Sequence, residues 1–281
     1  MTKMKDKIIK DFSVSGKSFQ LKYDADNELY QTLFSDWEHL NDYYQSENYI
    51  SHTDGKRNPI EKIYQIVKQY TIKTKWDLIK KHQNKDKINV LDIGCGTGDF
   101  LKYGNQKNNS NGVGVEPNDV ARQKAQSKNV EVFNDLKEIK AQNYDVITLW
   151  HVLEHVPDIE NYFSFFNEKL HKDGLLVIAV PNFKSYDAKF YGEHWAAWDV
   201  PRHLWHFSKN SMQKISQTHG FDLTHIQPMY FDSFYVSLLS EKYKNGKQNL
   251  LKAFWVGLRS NWEAKRTKEY SSHIYLFKKS K

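Results

Sequence analysis

The stretch Val90-Leu91-Asp92-Ile93-Gly94-Cys95-Gly96-Thr97-Gly98-Asp99-Phe100 constrains the fold more than any other part of the chain. Its apolar run reads as a buried strand that breaks into a glycine loop and then enters a helix. Glycines at 94, 96 and 98 allow positive φ and let a ligand approach the backbone where a Cβ would block it. The spacing is G-x-G-x-G, whereas dinucleotide folds use G-x-G-x-x-G with a helix N-terminus facing a pyrophosphate. Asp92 separates the two further. A carboxylate at the strand end repels a pyrophosphate but suits a ligand that carries an ammonium group. A second strand, Gly112-Val113-Gly114-Val115-Glu116, ends in an acid eighteen residues after Gly98. At that position a carboxylate accepts the hydroxyls of a ribose, a property that dinucleotide folds share.

Further apolar runs at 130–133, 145–150, 174–180 and roughly 222–230 alternate with helical segments, and a helix is expected from Pro59, behind an Asn58 cap, to about His82. Such alternation predicts a parallel sheet covered on both faces. The glycine loop with Asp92 resembles motif I of the class I S-adenosylmethionine-dependent methyltransferases, Glu116 supports it, and the string from Leu149 to Val156 resembles the bacterial ubiquinone- and menaquinone-biosynthesis type. The resemblance implies a Rossmann-like α/β fold: a seven-stranded, mostly parallel sheet in the order 3-2-1-4-5-7-6, with Ser272 to Phe277 as its antiparallel seventh strand. It implies S-adenosyl-L-methionine as cofactor, held by Asp92, Gly94, Cys95, Gly96, Gly98, Glu116, Leu149, Trp150 and His151. Residues 57–281 would form the methyltransferase domain, with 231–270 as a lid insertion or, equally, a helical pair packed on the sheet edge. Residues 1–56 would form an N-terminal extension or cap, with a hairpin expected between Asp11 and Gln20 and a run of polar aromatics from Tyr43 to His52.

The segment from Asp145 to Asp158 contains His151, Glu154 and His155 in the H-x-x-E-H spacing of a zinc peptidase. On a helix the two histidines would share a face. Here, however, they follow an apolar strand directly, and the string Leu149-Trp150-His151-Val152-Leu153-Glu154-His155-Val156 resembles the motif after the fourth strand of the same methyltransferases. No metal is therefore assigned. His151 is expected near the reacting centre, and His155 as a half-buried histidine bonded to a local carbonyl.

Beyond the fifth strand, His194 to Ser208 packs three tryptophans, three further histidines, Asp199 and Arg202 around a Pro201-Arg202-His203 step. Two readings compete. In one, Trp195, Trp198, Arg202 and His206 bind an acceptor and His203 or His151 is the catalytic base. In the other, an Asp199–Arg202 ion pair braces a loop whose core is the tryptophans.

The chain has 281 residues, of which 39% are hydrophobic, enough for one substantial core with an extension. Cys95 is the single cysteine, so no disulfide framework or multi-cysteine zinc site can form. No apolar run reaches membrane-spanning length, nor does the N-terminus read as a signal peptide, which predicts a cytoplasmic protein. The net charge of +7 divides unevenly, with 16 basic and 8 acidic residues after residue 182. That excess allows an anionic acceptor or nucleic acid, but the lysines are scattered rather than grouped, so nucleic acid is not expected as a partner. The reading is a methyltransferase acting on a small-molecule acceptor by O- or C-methylation. The alternative is an RNA or protein methyltransferase with the same cofactor site; a cofactor-binding module without catalysis stands further off.

Overall fold

A computed structural model describes residues 4–44, 59–140 and 143–280. The expected Asn58 cap and the aromatics from residue 45 to 52 lie outside them. A helix α1 (Pro59–His82) leads into a seven-stranded sheet. In chain order its strands are β4 (Ile88–Ile93), β5 (Ser110–Val115), β6 (Glu131–Phe133), β7 (Tyr144–Trp150), β8 (Leu170–Pro181), β10 (Phe221–Pro228) and β11 (Ser272–Lys279). Their spatial order is β10-β11-β8-β7-β4-β5-β6. Pairings are parallel from β6 to β8, and β11 runs antiparallel to both β8 and β10. This is the order and direction the sequence predicted. Helices α2 (Asp99–Lys107), α3 (Asp119–Gln126), α4 (Ile159–Lys169) and α6 (Lys209–Thr218) connect the strands.

Two cores form because side chains alternate across a strand. Leu91, Ile147, Leu149, Ile178 and Phe166 fill one face, and Val90, Val146, Val177, Trp76 and Phe100 the other. On the second face α1 packs closely on α2: a Cβ at Gly104 would lie 1.9 Å from the Trp76 ring, whose Nε1 donates to the Phe100 carbonyl at 2.9 Å. The approach of the two helices therefore depends on a glycine opposite a tryptophan.

The N-terminal residues differ from expectation. Instead of a hairpin within 11–20, three strands form a meander, β1 (Lys7–Lys10), β2 (Ser18–Asp24) and β3 (Leu29–Thr32). Most of the expected hairpin is the turn itself. Asp11 accepts from the backbone N–H of Ser13, Val14 and Ser15, the local bonding by which aspartate and serine favour turns over strands. A fourth strand, β9 (Trp205–His206), pairs with β3, so the extension and the segment after β8 share one sheet.

The insertion is a pair of packed helices, α7 (Asp232–Asn245) and α8 (Leu250–Thr267), closing against the short α5 (Tyr186–Tyr191). Between these helices and the N-terminal sheet lies a third core of Ile9, Leu21, Tyr30, Trp195, Trp198 and Val236.

Candidate cofactor and acceptor site

The glycine loop leaves β4 at its carboxyl end, where open α/β sheets bind ligands. Gly94, Gly96 and Gly98 have φ of 68°, 54° and 75°, in the left-handed region that side chains with a Cβ rarely adopt. Gly96 differs from its neighbours in facing open space, because a Cβ there would meet nothing within 4 Å. Its N–H donates to Glu116 Oε2 at 2.9 Å, and the Asn118 N–H donates to Oε1 at the same distance. The carboxylate is thus held against the loop with lone pairs to spare for hydroxyls. Burial raises its pKa against the pull of those amides.

Asp92 is buried and accepts from Thr148 Oγ1 on the adjacent strand at 2.6 Å. Burial pushes its pKa up to about 7, against the Thr148 hydroxyl and the nearby Lys75. Lys75, from α1, holds its Nζ 4.1 Å from the centre of the Trp150 ring. Burial lowers its pKa to about 8, opposed by Asp92 and Asp232. Trp150 Nε1 is itself buried with no hydrogen-bond partner among the described residues. An open glycine turn, two buried carboxylates and an orphaned indole N–H form a cradle that fits an adenosyl group bearing an ammonium.

Two expected cofactor residues sit beneath this surface. Leu149 is fully buried in the core on the opposite face of β7 from Thr148 and Trp150, as strand alternation requires, so it does not reach the cradle. Cys95 is buried too, and a Cβ on Gly114 would lie 2.4 Å from its sulfur. Burial pushes its thiol pKa up, which leaves it a packing residue under the loop.

His151 follows β7 with φ of 59°, and its N–H donates to the Ala179 carbonyl at 2.9 Å. Its ring lies between two acids, with Nδ1 3.3 Å from Glu154 Oε1 and Nε2 3.0 Å from Asp232 Oδ2 on the first turn of α7. Burial alone would lower its pKa, but the Asp232 and Glu154 carboxylates outweigh that and raise it to about 10. An imidazolium at neutral pH cannot accept a proton, so His151 serves poorly as the general base expected of it.

The H-x-x-E-H residues do not converge in the zinc-peptidase manner, because Leu153–His155 forms a single 3-10 turn rather than a helix. Instead Glu154, His155 and His203 each bring a ligand atom within 4.8 Å of one another. His155 Nδ1 lies 3.0 Å from the Arg202 carbonyl, and His203 Nδ1 lies 2.9 Å from that of Ala197. A carbonyl accepts only, so both Nδ1 atoms carry a proton, and His203 Nε2 lies 3.9 Å from Asp199 Oδ2. Glu154 is 1% exposed, and its Oε2 has no partner among the described residues. Glu154, His155 and His203 are the residue types of a two-histidine, one-carboxylate site for a divalent cation, and the backbone carbonyls fix the ring orientations.

The expected acceptor wall is interior. Trp195 and Trp198 are 2% and 4% exposed, and their Nε1 atoms donate to Asp187 Oδ2 and to the Gly192 carbonyl. Arg202 is committed to its neighbours: it donates to both oxygens of Asp199, to the Tyr43 carbonyl, to Asp11 and to Ser13. His206 Nε2 meets Thr32 Oγ1 at 2.9 Å, and since the Thr32 hydroxyl donates to the His203 carbonyl, the imidazole is the donor. The Asp199–Arg202 pair and the buried tryptophans match the bracing alternative, and Arg202 and His206 also tie this segment to the N-terminal sheet; of its expected site residues, His203 joins the Glu154–His155 cluster. Lys75, Thr148 and Asp232 were missed, and Glu154 was singled out only in the zinc-peptidase spacing that was set aside. Lys75 is one of many lysines in α1, and Asp232 reaches the site only through the packing of an insertion.

Fold and site define a class I methyltransferase. Residues 68–226 match the family model described as a methyltransferase domain, more than half of the chain, and the protein belongs to that family. It is a methyltransferase, and the cradle of Asp92, Gly96 and Glu116 fits S-adenosyl-L-methionine. A curated relative, the ubiquinone biosynthesis O-methyltransferase of Actinobacillus pleuropneumoniae serotype 7 (strain AP76), is 26% identical over 170 residues, 55% of this chain and 72% of that protein. Among solved structures, magnesium protoporphyrin IX methyltransferase from Synechocystis PCC 6803 with bound S-adenosylmethionine aligns at a TM-score of 0.54. It covers 88% of this chain and 99% of its own at 16% identity. Coclaurine N-methyltransferase, bound to N-methylheliamine and S-adenosylhomocysteine, aligns at 0.51 over 74% and 70% at 19% identity. At such identities the structural likeness is one of fold.

Proposed function

We propose that this enzyme methylates a hydroxyl oxygen of a small-molecule acceptor, bound beside His151 at the carboxyl end of β7. The observation that carries the reading is the convergence of Glu154, His155 and His203, with a buried Glu154 oxygen that has no partner among the described residues. Lone-pair atoms gathered in a buried place are stabilised by a donor or a cation, and an acceptor hydroxyl is such a donor. Its oxygen then attacks the sulfonium methyl in line, the sulfur–methyl bond breaks toward sulfur, and the hydroxyl proton passes to the cluster. A divalent cation held by the same three residues would supply a lowered hydroxyl pKa. His151, kept cationic between Asp232 and Glu154, orients Glu154 and fixes α7 against the site. Small hydroxylated molecules, anionic ones included, fit this reading better than nucleic acid or protein, because the basic C-terminal residues are dispersed.

The test is a methyl-transfer screen with labelled cofactor across hydroxylated metabolites, run with and without chelator. His203→Ala and Glu154→Gln are expected to lower turnover by about a hundredfold or more, while S-adenosylhomocysteine binds as in wild type. Chelator sensitivity restored by manganese or zinc would assign the three residues to a cation, and insensitivity to a base. Full turnover in both variants, or methylation of RNA in preference to every small molecule, would overturn the reading.

A further inference from the structure

Helix α8 is built inside out for a water-soluble surface. Its buried side is made of small residues, Ala253, Val256, Gly257, Ser260 and Ala264. A Cβ added at Gly257 would lie 2.7 Å from the Phe234 ring, so α7 and α8 pack too closely for larger side chains between them. The large apolar residues point outward instead. Leu251, Phe254, Trp255, Leu258 and Trp262 are 78%, 53%, 64%, 42% and 65% exposed, with Leu250 beside them at 61%. Their spacing along the helix is that of one continuous stripe. Soluble surfaces carry scattered apolar residues, whereas a contiguous aromatic and aliphatic stripe marks a contact surface.

Charge decides what covers it. Residues 231–270 contain eight basic and four acidic side chains. Lys242, Lys244, Lys247, Arg259, Lys265, Arg266 and Lys268 are all exposed on α7, α8 and their connections. A second copy would bring the same positive field to its own apolar stripe. An anionic lipid surface brings the opposite one, and tryptophan with flanking lysine and arginine is the composition that settles at the boundary between headgroups and acyl chains. No helix among the described residues is long and apolar enough to cross a membrane, so the contact would be parallel to the surface.

We propose that α8 is a peripheral membrane-docking helix that lays its Leu251-to-Trp262 stripe into an anionic bilayer surface. The whole protein should co-sediment with vesicles of phosphatidylcholine and phosphatidylglycerol, much less with phosphatidylcholine alone, and the binding should weaken as salt rises. Trp255→Ser with Trp262→Ser should weaken that binding about tenfold or more, with an unchanged melting temperature because both rings are solvent-facing. Equal binding by the double variant, or no sedimentation with either vesicle, would overturn the proposal. So would a wild-type dimer in solution that the double variant dissociates, because the stripe would then be a self-association surface.

Discussion

Asp92 is where one side chain says most about cofactor binding. Its pKa, lifted by burial to about 7, means that near neutrality the site holds part of its population protonated. A ligand with an ammonium group prefers the ionised form and expels the proton. The sign follows from linkage: affinity climbs as pH rises toward 7, by at most about tenfold per pH unit, and levels once Asp92 is ionised. Calorimetry with S-adenosylhomocysteine in buffers of differing ionisation heat should show proton release below pH 7. Asp92→Asn should lose both the release and about tenfold to a hundredfold in affinity; an unchanged pH slope would remove Asp92 from the ammonium contact. Arg202 makes the opposite case. Arg202→Ala would leave Asp11 and Asp199 facing one another with the guanidinium gone from a site that is 2% exposed. Breaking a buried ion pair from one side costs about 3 to 5 kcal/mol. Denaturant unfolding should show that loss, with activity falling only as far as the folded fraction does.

Single elements differ in how far the sequence disclosed them. The glycine turn was legible because each feature had a local cause, positive φ at Gly96 and a carboxylate at the end of each of two strands, whereas Cys95 within it turned inward to pack. β7 was legible as a strand, yet its facing was misjudged. Alternation from Thr148 already places Leu149 on the other side, in the core and away from the cradle. The segment from Trp195 to His206 misled for a different reason. Tryptophan, arginine and histidine suit a binding wall and a buried brace equally well, and what separates them is the partner. Those partners, Asp11, Ser13 and Thr32, stand more than 150 residues earlier in the chain. α8 shows the same limit, since a helical pattern reports which residues share a face but not which face turns inward.

The whole molecule is two sheets joined by one seam. The seven-stranded sheet carries the cofactor chemistry, and the four-stranded sheet closes over Trp198 and Phe183 through Tyr30, whose ring meets both edge to face at 5.8 and 5.1 Å. Removing the first 36 residues should therefore uncover those aromatics and leave Arg202 without Asp11. The expected outcome is a protein that aggregates or binds a hydrophobic dye, even though every glycine-loop residue remains. A truncated protein that stays monomeric with the wild-type melting temperature would show that the meander is dispensable.

The pairing of β3 with β9 also sets a timetable. Thr32 finds the backbone of His203 and the ring of His206 only after more than 170 further residues have been made. At synthesis rates of about 5 to 20 residues per second, the N-terminal meander waits on the order of ten seconds or longer with an unpaired strand edge. During that interval it is a substrate for chaperones and a template for mispairing. The first strands of this protein thus wait for partners made much later in the chain, and the yield of folded enzyme should depend on how well that early edge is shielded.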